Sequence, residues 1–191
     1  MKKLTALTLA AVLALGLAAC GKTAEKEPEA TGPETALDLM NTVWESYPEE
    51  ERFAVIGGDF GEENNKDGAP GVFGIEDAEA LDNVLGFPTA MADQLVDASS
   101  MIFMMNANTF TAGAYHLKSD ADVNAVAEQV KENVLARQWM CGFPDKLLIF
   151  TDGSYLVSVW GKTEMVDPFR DKLAAAFPNG SIYYDGDALL Y

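Results

Sequence analysis

The sequence predicts an α+β domain: one antiparallel sheet made from two ββα units, their helices packed on one face, preceded by an N-terminal helix. Three observations predict it. Two hairpin signals, Asn106-Ala107-Asn108 and Asp152-Gly153, each sit between runs of strand-like residues. Each hairpin is followed by a stretch with apolar residues at three- and four-residue spacing. The two units share this order rather than their residues, so the chain carries a structural echo and no sequence repeat.

The elements follow in order. Pro33, or Thr35 as an alternative cap, opens a helix whose apolar stripe is Leu37, Met40, Val43, Trp44 and Tyr47, and Pro48 ends it. Phe53 to Ile56 reads as a short strand before Gly57-Gly58, and residues 59–74 as a Gly/Asn/Asp-rich loop. Glu76 to Leu85 is a short helix closed by Gly86. Leu95 to Met105 and Thr109 to Leu117 are the arms of the first hairpin. Ser119 is expected to cap the next helix, with Asp122 as its short-armed partner and Val123, Val126, Ala127, Val130 and Val134 as its buried stripe. Lys146 to Phe150 and Tyr155 to Trp160 form the second hairpin. A helix from about Asp167 carries Pro168 in its first turn and Phe169, Leu173 and Phe177 on one face. Asn179-Gly180 stops it, and a last β segment begins at Ser181.

The first 19 residues have the layout of a targeting segment. Lys2 and Lys3 precede an uncharged run of Leu, Ala and Val that ends in Ala18-Ala19. From Leu4 to Ala19 a helix would reach roughly 24 Å, short of a hydrocarbon core about 30 Å thick. Leu17-Ala18-Ala19-Cys20 resembles the lipobox of bacterial lipoprotein precursors. That resemblance implies diacylglycerol on the Cys20 sulfur, cleavage before Cys20, and acylation of the new amino group, palmitate being the kind of chain expected. Each buried methylene contributes about 0.8 kcal/mol, so two or three chains hold where one does not. Residues 20–33 then read as a flexible tether, since Gly21 to Pro33 has no apolar residue larger than Ala. Thirteen such residues reach roughly 20 Å.

Residues 34–191 are enough for one domain with its own core. Taking Lys2 and Lys3 from the 13 basic residues leaves 11 against 30 acidic ones, a net charge of −19. Such a surface has no basic footprint for nucleic acid, and anionic headgroups repel it. Contact with the membrane is therefore expected through the anchor alone, on the outer face. With Cys20 lipidated, Cys141 has no partner for an intramolecular disulfide and is expected to be a packed, inert thiol. The lone histidine, His116, cannot build a zinc site by itself and is expected to be structural.

Three features invite a functional reading. Glu63, Asn65 and Asp67 before Gly68 imitate the first half of a calcium loop, but Gly74 stands where the closing glutamate belongs. A solvated acidic loop is the expectation, and no cofactor is implied. Met91, Met101, Met104, Met105 and Met140 could ligate copper(I) or line an adaptable groove. Strand alternation sends Met104 and Met105 to opposite sides, so core filling is expected of the methionines. Trp139 to Lys146 (WMCGFPDK) is an aromatic, turn-forming stretch, with Trp139, Met140 and Phe143 as candidate interaction residues. No catalytic set is recognisable, although Asp59 and Glu62 are a carboxylate pair.

From about residue 80 to 178 the chain resembles an uncharacterised domain of small lipoproteins from Gram-positive bacteria. The resemblance rests on Met104 to Phe110, Arg137 to Lys146 and the Asp152-Gly153 hairpin. It implies no activity, cofactor or substrate. The functional expectation is thus a lipid-anchored extracytoplasmic binding or scaffolding protein with a protein partner in the cell envelope. An accessory role in an envelope or export complex would suit it. A surface carrier of a small molecule or of calcium or copper is the alternative.

Overall fold

A computed structural model describes residues 32–189, and the expected leader, Cys20 and most of the tether lie outside them. Eight strands form one open antiparallel sheet. Its path runs β2 (Lys66–Asp67), β1 (Val55–Gly57), β4 (Leu95–Phe103), β5 (Phe110–Leu117), β7 (Tyr155–Gly161), β6 (Lys146–Asp152) and β8 (Ser181–Asp187). The remaining strand, β3 (Gly71–Phe73), shares one edge of β4 with β1. The chain crosses itself there, and a Cβ on Gly57 would stand 2.1 Å from the Gly71 nitrogen. Only glycine permits that approach.

The helices α1 (Ala36–Glu45), α2 (Ala78–Leu85), α3 (Val123–Leu135) and α4 (Thr163–Ala176) do not gather on one face. This corrects the expectation from the sequence. Helices α1 and α4 cover one face, with Met40, Trp44, Phe169 and Leu173 against Ala112, Leu148 and Val157. Helices α2 and α3 cover the other, with Leu81, Leu85, Val126 and Val130 against Tyr115, Ile149 and Leu156. The physical reason is in the strands. Leu147 to Phe150 and Tyr155 to Trp160 are buried without alternation, so both faces need cover.

Local signals set most element ends. Thr35 caps α1 through a reciprocal capping box with Asp38. The buried stripe of α1 is Ala36, Leu39, Met40, Val43 and Trp44, with Leu37 only half-buried. Asp122, rather than Ser119, caps α3, because its carboxylate accepts from the Asn124 and Ala125 N–H groups. Helix α4 starts at Thr163, four residues before the expected start, so Pro168 falls inside it. Pro168 is the sixth residue of α4, past the first turn, so the Glu164 carbonyl goes without its helical N–H partner. At the second hairpin Asp152 pairs with Tyr155, leaving a two-residue turn with Gly153 at φ +57°. The first hairpin needs six residues, 104–109, between its strands.

The connections fix which end of the sheet each loop occupies. Residues 104–109, the segment 136–145 and the start of α4 lie at one end. The 153–154 turn, the start of β4 and the entry of the chain at Pro33 lie at the other. At that entry Tyr155 donates its hydroxyl to the Pro33 carbonyl (2.7 Å), and the Ala36 N–H donates to Asp97 (2.7 Å). His116 bonds the same Asp97 at 3.0 Å and stacks on Tyr155 at 4.5 Å, which is the structural role expected of it.

Candidate functional site

The end of the sheet away from Pro33 carries the candidate site. Strand β4 stops at Phe103, so Met104 and Met105 belong to the turn and strand alternation no longer governs them. They are exposed by 52% and 82%, which corrects the expectation that they fill the core. Asn106 shapes the turn by accepting the Asn108 N–H at 2.8 Å. The two asparagines then reach outward. Asn106 Nδ2 donates to the Cys141 carbonyl at 2.9 Å; Asn108 Nδ2 donates to the carbonyls of Met140 (2.9 Å) and Gly142 (3.0 Å). A clamp of three hydrogen bonds thereby joins the hairpin tip to the 139–144 loop.

Two further ties hold that loop. At its start, Arg137 donates to the carbonyls of Asp82 (2.8 Å) and Asn83 (2.6 Å) near the end of α2. Its guanidinium lies 5.5 Å from the Trp139 ring centroid and 5.3 Å from that of Trp160. Burial pulls Arg137 below the ordinary guanidinium value, with Asp82 opposing. At the loop's far end, the Asp145 N–H donates to the Gly161 carbonyl at 2.8 Å. Asp145 also accepts from Lys162 Nζ at 2.8 Å.

Of the three residues singled out from sequence, the structure brings two to the surface. Met140 is 78% exposed and Phe143 57%. Trp139 is half-buried against the α2–α3 core, 5.8 Å from Trp160, and anchors the loop instead of lining a surface. Met101 is buried, as expected, whereas Met140 joins Met104 and Met105 outside. Cys141 lies exposed between them at φ +60°, not packed as expected. Half of the eight large apolar residues exposed among the described ones, Met104, Met105, Met140 and Phe143, belong to this clamped pair of loops. Exposed apolar residues grouped in this way are the kind of feature from which interaction surfaces are built, whereas single ones carry no message.

The other candidates come out differently. Glu63, Asn65 and Asp67 are all exposed, and Asp67 is tied into β2 opposite Ile56. Among the described residues no three His, Cys, Asp or Glu side chains converge where a metal ion could be held. Asp59 organises its own loop, accepting from the Gly61 N–H (2.9 Å), Asn64 Nδ2 (2.8 Å) and the Gly74 N–H (3.1 Å). Burial alone would raise its carboxyl, but the bonds from Asn64, Gly61 and Gly74 outweigh it and hold it below the usual aspartate value. A carboxylate so occupied is a poor proton donor at neutral pH, and Glu62 beside it is exposed.

The sequence signal for the 139–144 loop was its aromatic content. Met104 and Met105 were readable only by noticing that Asn106 ends the strand before them. The asparagine clamp joins residues more than thirty apart and has no local signal. No helix among the described residues is long and apolar enough to cross a membrane. No family model, no curated protein and no solved structure matches the chain.

Proposed function

We propose that this chain is a lipid-anchored extracytoplasmic binding protein that presents its methionine- and phenylalanine-bearing end to a protein partner in the cell envelope. The observation that carries the reading is the clamped surface of Met104, Met105, Met140 and Phe143. Methionine suits such a role because its unbranched, polarisable side chain adapts to different partner surfaces. The clamp holds the backbone beneath, so less ordering is needed on binding.

The anchor enters the argument through geometry. The chain joins the domain beside Asp97 and Tyr155, and the apolar surface lies past the other end of β4. Asp97 to Phe103 is six strand steps, roughly 20 Å at about 3.4 Å each. With lipid on Cys20, the apolar end is carried on the side remote from the tether's entry, the placement that serves a partner rather than the bilayer. The acidic surface supports this, since anionic headgroups repel it.

Photo-crosslinking in cells tests the proposal. A benzophenone side chain at position 140 is expected to give a discrete protein adduct, and one at exposed Ala174 on α4 is expected to give none. Met105→Asp is expected to abolish the adduct while mass spectrometry still finds acyl chains on Cys20. The reading fails if position 140 gives no adduct above that at position 174, or if Cys20 is unmodified.

A further inference from the structure

Of the chain's 8 methionines all but Met1 lie among the described residues, and these divide by exposure. Met40 and Met101 are fully buried. Met165 packs partly buried against the α1–α4 core, and Met91 against the α2–α3 core. Met104, Met105 and Met140 are exposed, and each stands on the clamped loops beside Phe143. Every exposed methionine among the described residues therefore lies on the proposed partner surface.

What holds these loops contains no sulfur. The Asn106 and Asn108 amides donate to the backbone carbonyls of Met140, Cys141 and Gly142, and the Met104 N–H donates to the Ala54 carbonyl at 3.1 Å. None of the three methionine side chains belongs to either core. Chemistry at their sulfurs thus alters what the surface offers and spares the scaffold beneath. An exposed thioether is open to two-electron oxidants such as hydrogen peroxide. The S–O bond forms as the O–O bond breaks, and the transferred hydroxyl gives its proton to the departing hydroxide, which leaves as water. Sulfur gives up two electrons and peroxide takes them. The sulfoxide puts a polar acceptor oxygen where an apolar, polarisable atom stood. Docked against an apolar partner, that oxygen loses its water and gains no donor, a cost of about tenfold in affinity for each sulfoxide.

We infer that Met104, Met105 and Met140 form a modification site through which peroxide controls docking: their sulfoxides release the partner, and reduction to the thioethers restores it. The inference rests on the partner surface proposed above and adds its regulation. On the proposed outer face such oxidants meet no cytosolic thiol buffer. Cys141, exposed next to Met140, is another sulfur within reach of peroxide, so Cys141→Ser is the background for every measurement.

The test keeps peroxide away from the partner. The full, acylated chain with a benzophenone side chain at position 143 is purified in detergent, oxidised with hydrogen peroxide and cleared of it with catalase. It is then irradiated with untreated membranes from cells lacking the chain. Peptide mass spectrometry is expected to find sulfoxide at 104, 105 and 140 at least about fivefold ahead of Met91 and Met165, since susceptibility follows exposure. The adduct given by the unoxidised chain is expected to fall at least about tenfold after oxidation. Methionine sulfoxide reductase with dithiothreitol is expected to bring back at least about half of it. The triple variant Met104→Leu, Met105→Leu, Met140→Leu keeps an apolar surface without sulfur, and its adduct is expected to survive peroxide. If leucine itself prevents docking, restoration by the reductase decides. An adduct that survives sulfoxides at all three positions overturns the inference, as does sulfoxide spread evenly over Met91 and Met165, or loss of the adduct in the leucine variant on oxidation. These results leave the partner surface standing. No adduct from the unoxidised chain removes that surface and its regulation together.

Discussion

The two hairpins of this sheet follow one plan and end differently. At the β6–β7 tip, two residues suffice, and Gly153 in the left-handed region is a natural solution for so short a turn. At the β4–β5 tip the chain uses six residues and displays two methionines. Closing a hairpin does not require them. The short tip lies beside the entry of the chain, near His116 and Tyr155. The long tip lies at the far end, tied by Asn106 and Asn108 to a second loop that also shows apolar side chains. The contrast teaches where the fold has extra chain, and that this extra chain is held in place instead of being left loose.

The largest expected effect lies at the root of the long tip. Phe110, the first residue of β5, packs 5.0 Å from Phe53 and 5.5 Å from Phe169. Phe110→Ala is expected to lower unfolding free energy by about 3–5 kcal/mol in urea titrations, as for other buried aromatics. A loss under about 1 kcal/mol would mean that the tip is not founded on this core. Next comes the clamp. Asn108→Ala removes two hydrogen bonds and is expected to cost about 1–2 kcal/mol, while Ser154→Ala at the short tip stays within about 0.5 kcal/mol. Equal effects at the two tips would erase the contrast.

Acid should reach the long-tip end through Asp185, which bonds Lys146 at 2.7 Å and Arg170 at 2.9 Å. Burial alone would raise its carboxyl, but the bonds from Lys146 and Arg170 prevail and hold it below the ordinary aspartate value. The folded state thus binds this proton more weakly than the unfolded chain. The resulting stability is full above the unfolded value of about 4 and is lost as pH falls through the lower, folded value. Thermal melts between pH 2 and 6 should show a steeper acid decline for the natural chain than for Asp185→Asn. The smallest stability effect is expected at the surface itself. Met105→Ser and Met140→Ser should each shift stability by less than about 0.5 kcal/mol, yet Met105→Ser should remove the adduct formed from position 140.

Much of the fold was legible because local chemistry decided it. Thr35 and Asp38 set the start of α1, Gly86 closes α2, and Asp152-Gly153 turns the second hairpin. What was misread depended on partners distant in sequence. Strands β2 and β3 hide in a glycine-rich loop because their pairing with β1 and β4 supplies what their residues do not. The second helical layer was visible in principle, since Leu147 to Phe150 and Leu156 to Trp160 place bulky apolar groups on both faces. Placing every helix on one face left the apolar groups of the other face without cover. At the candidate site, composition pointed to the 139–144 loop but not to which of its residues would turn outward. Trp139 went inward because Arg137 and Trp160 offered it a stack.

The strand that closes the sheet, β8, has a further consequence. An open strand edge is where a second copy of a chain can add by backbone pairing. Strand β8 leaves such an edge, and Asp185 and Asp187 stand along it. Asp185 is already held by Lys146 and Arg170, but a second copy pairing there would add its own Asp187 to the Asp187 of this edge, and that like charge works against edge-to-edge growth.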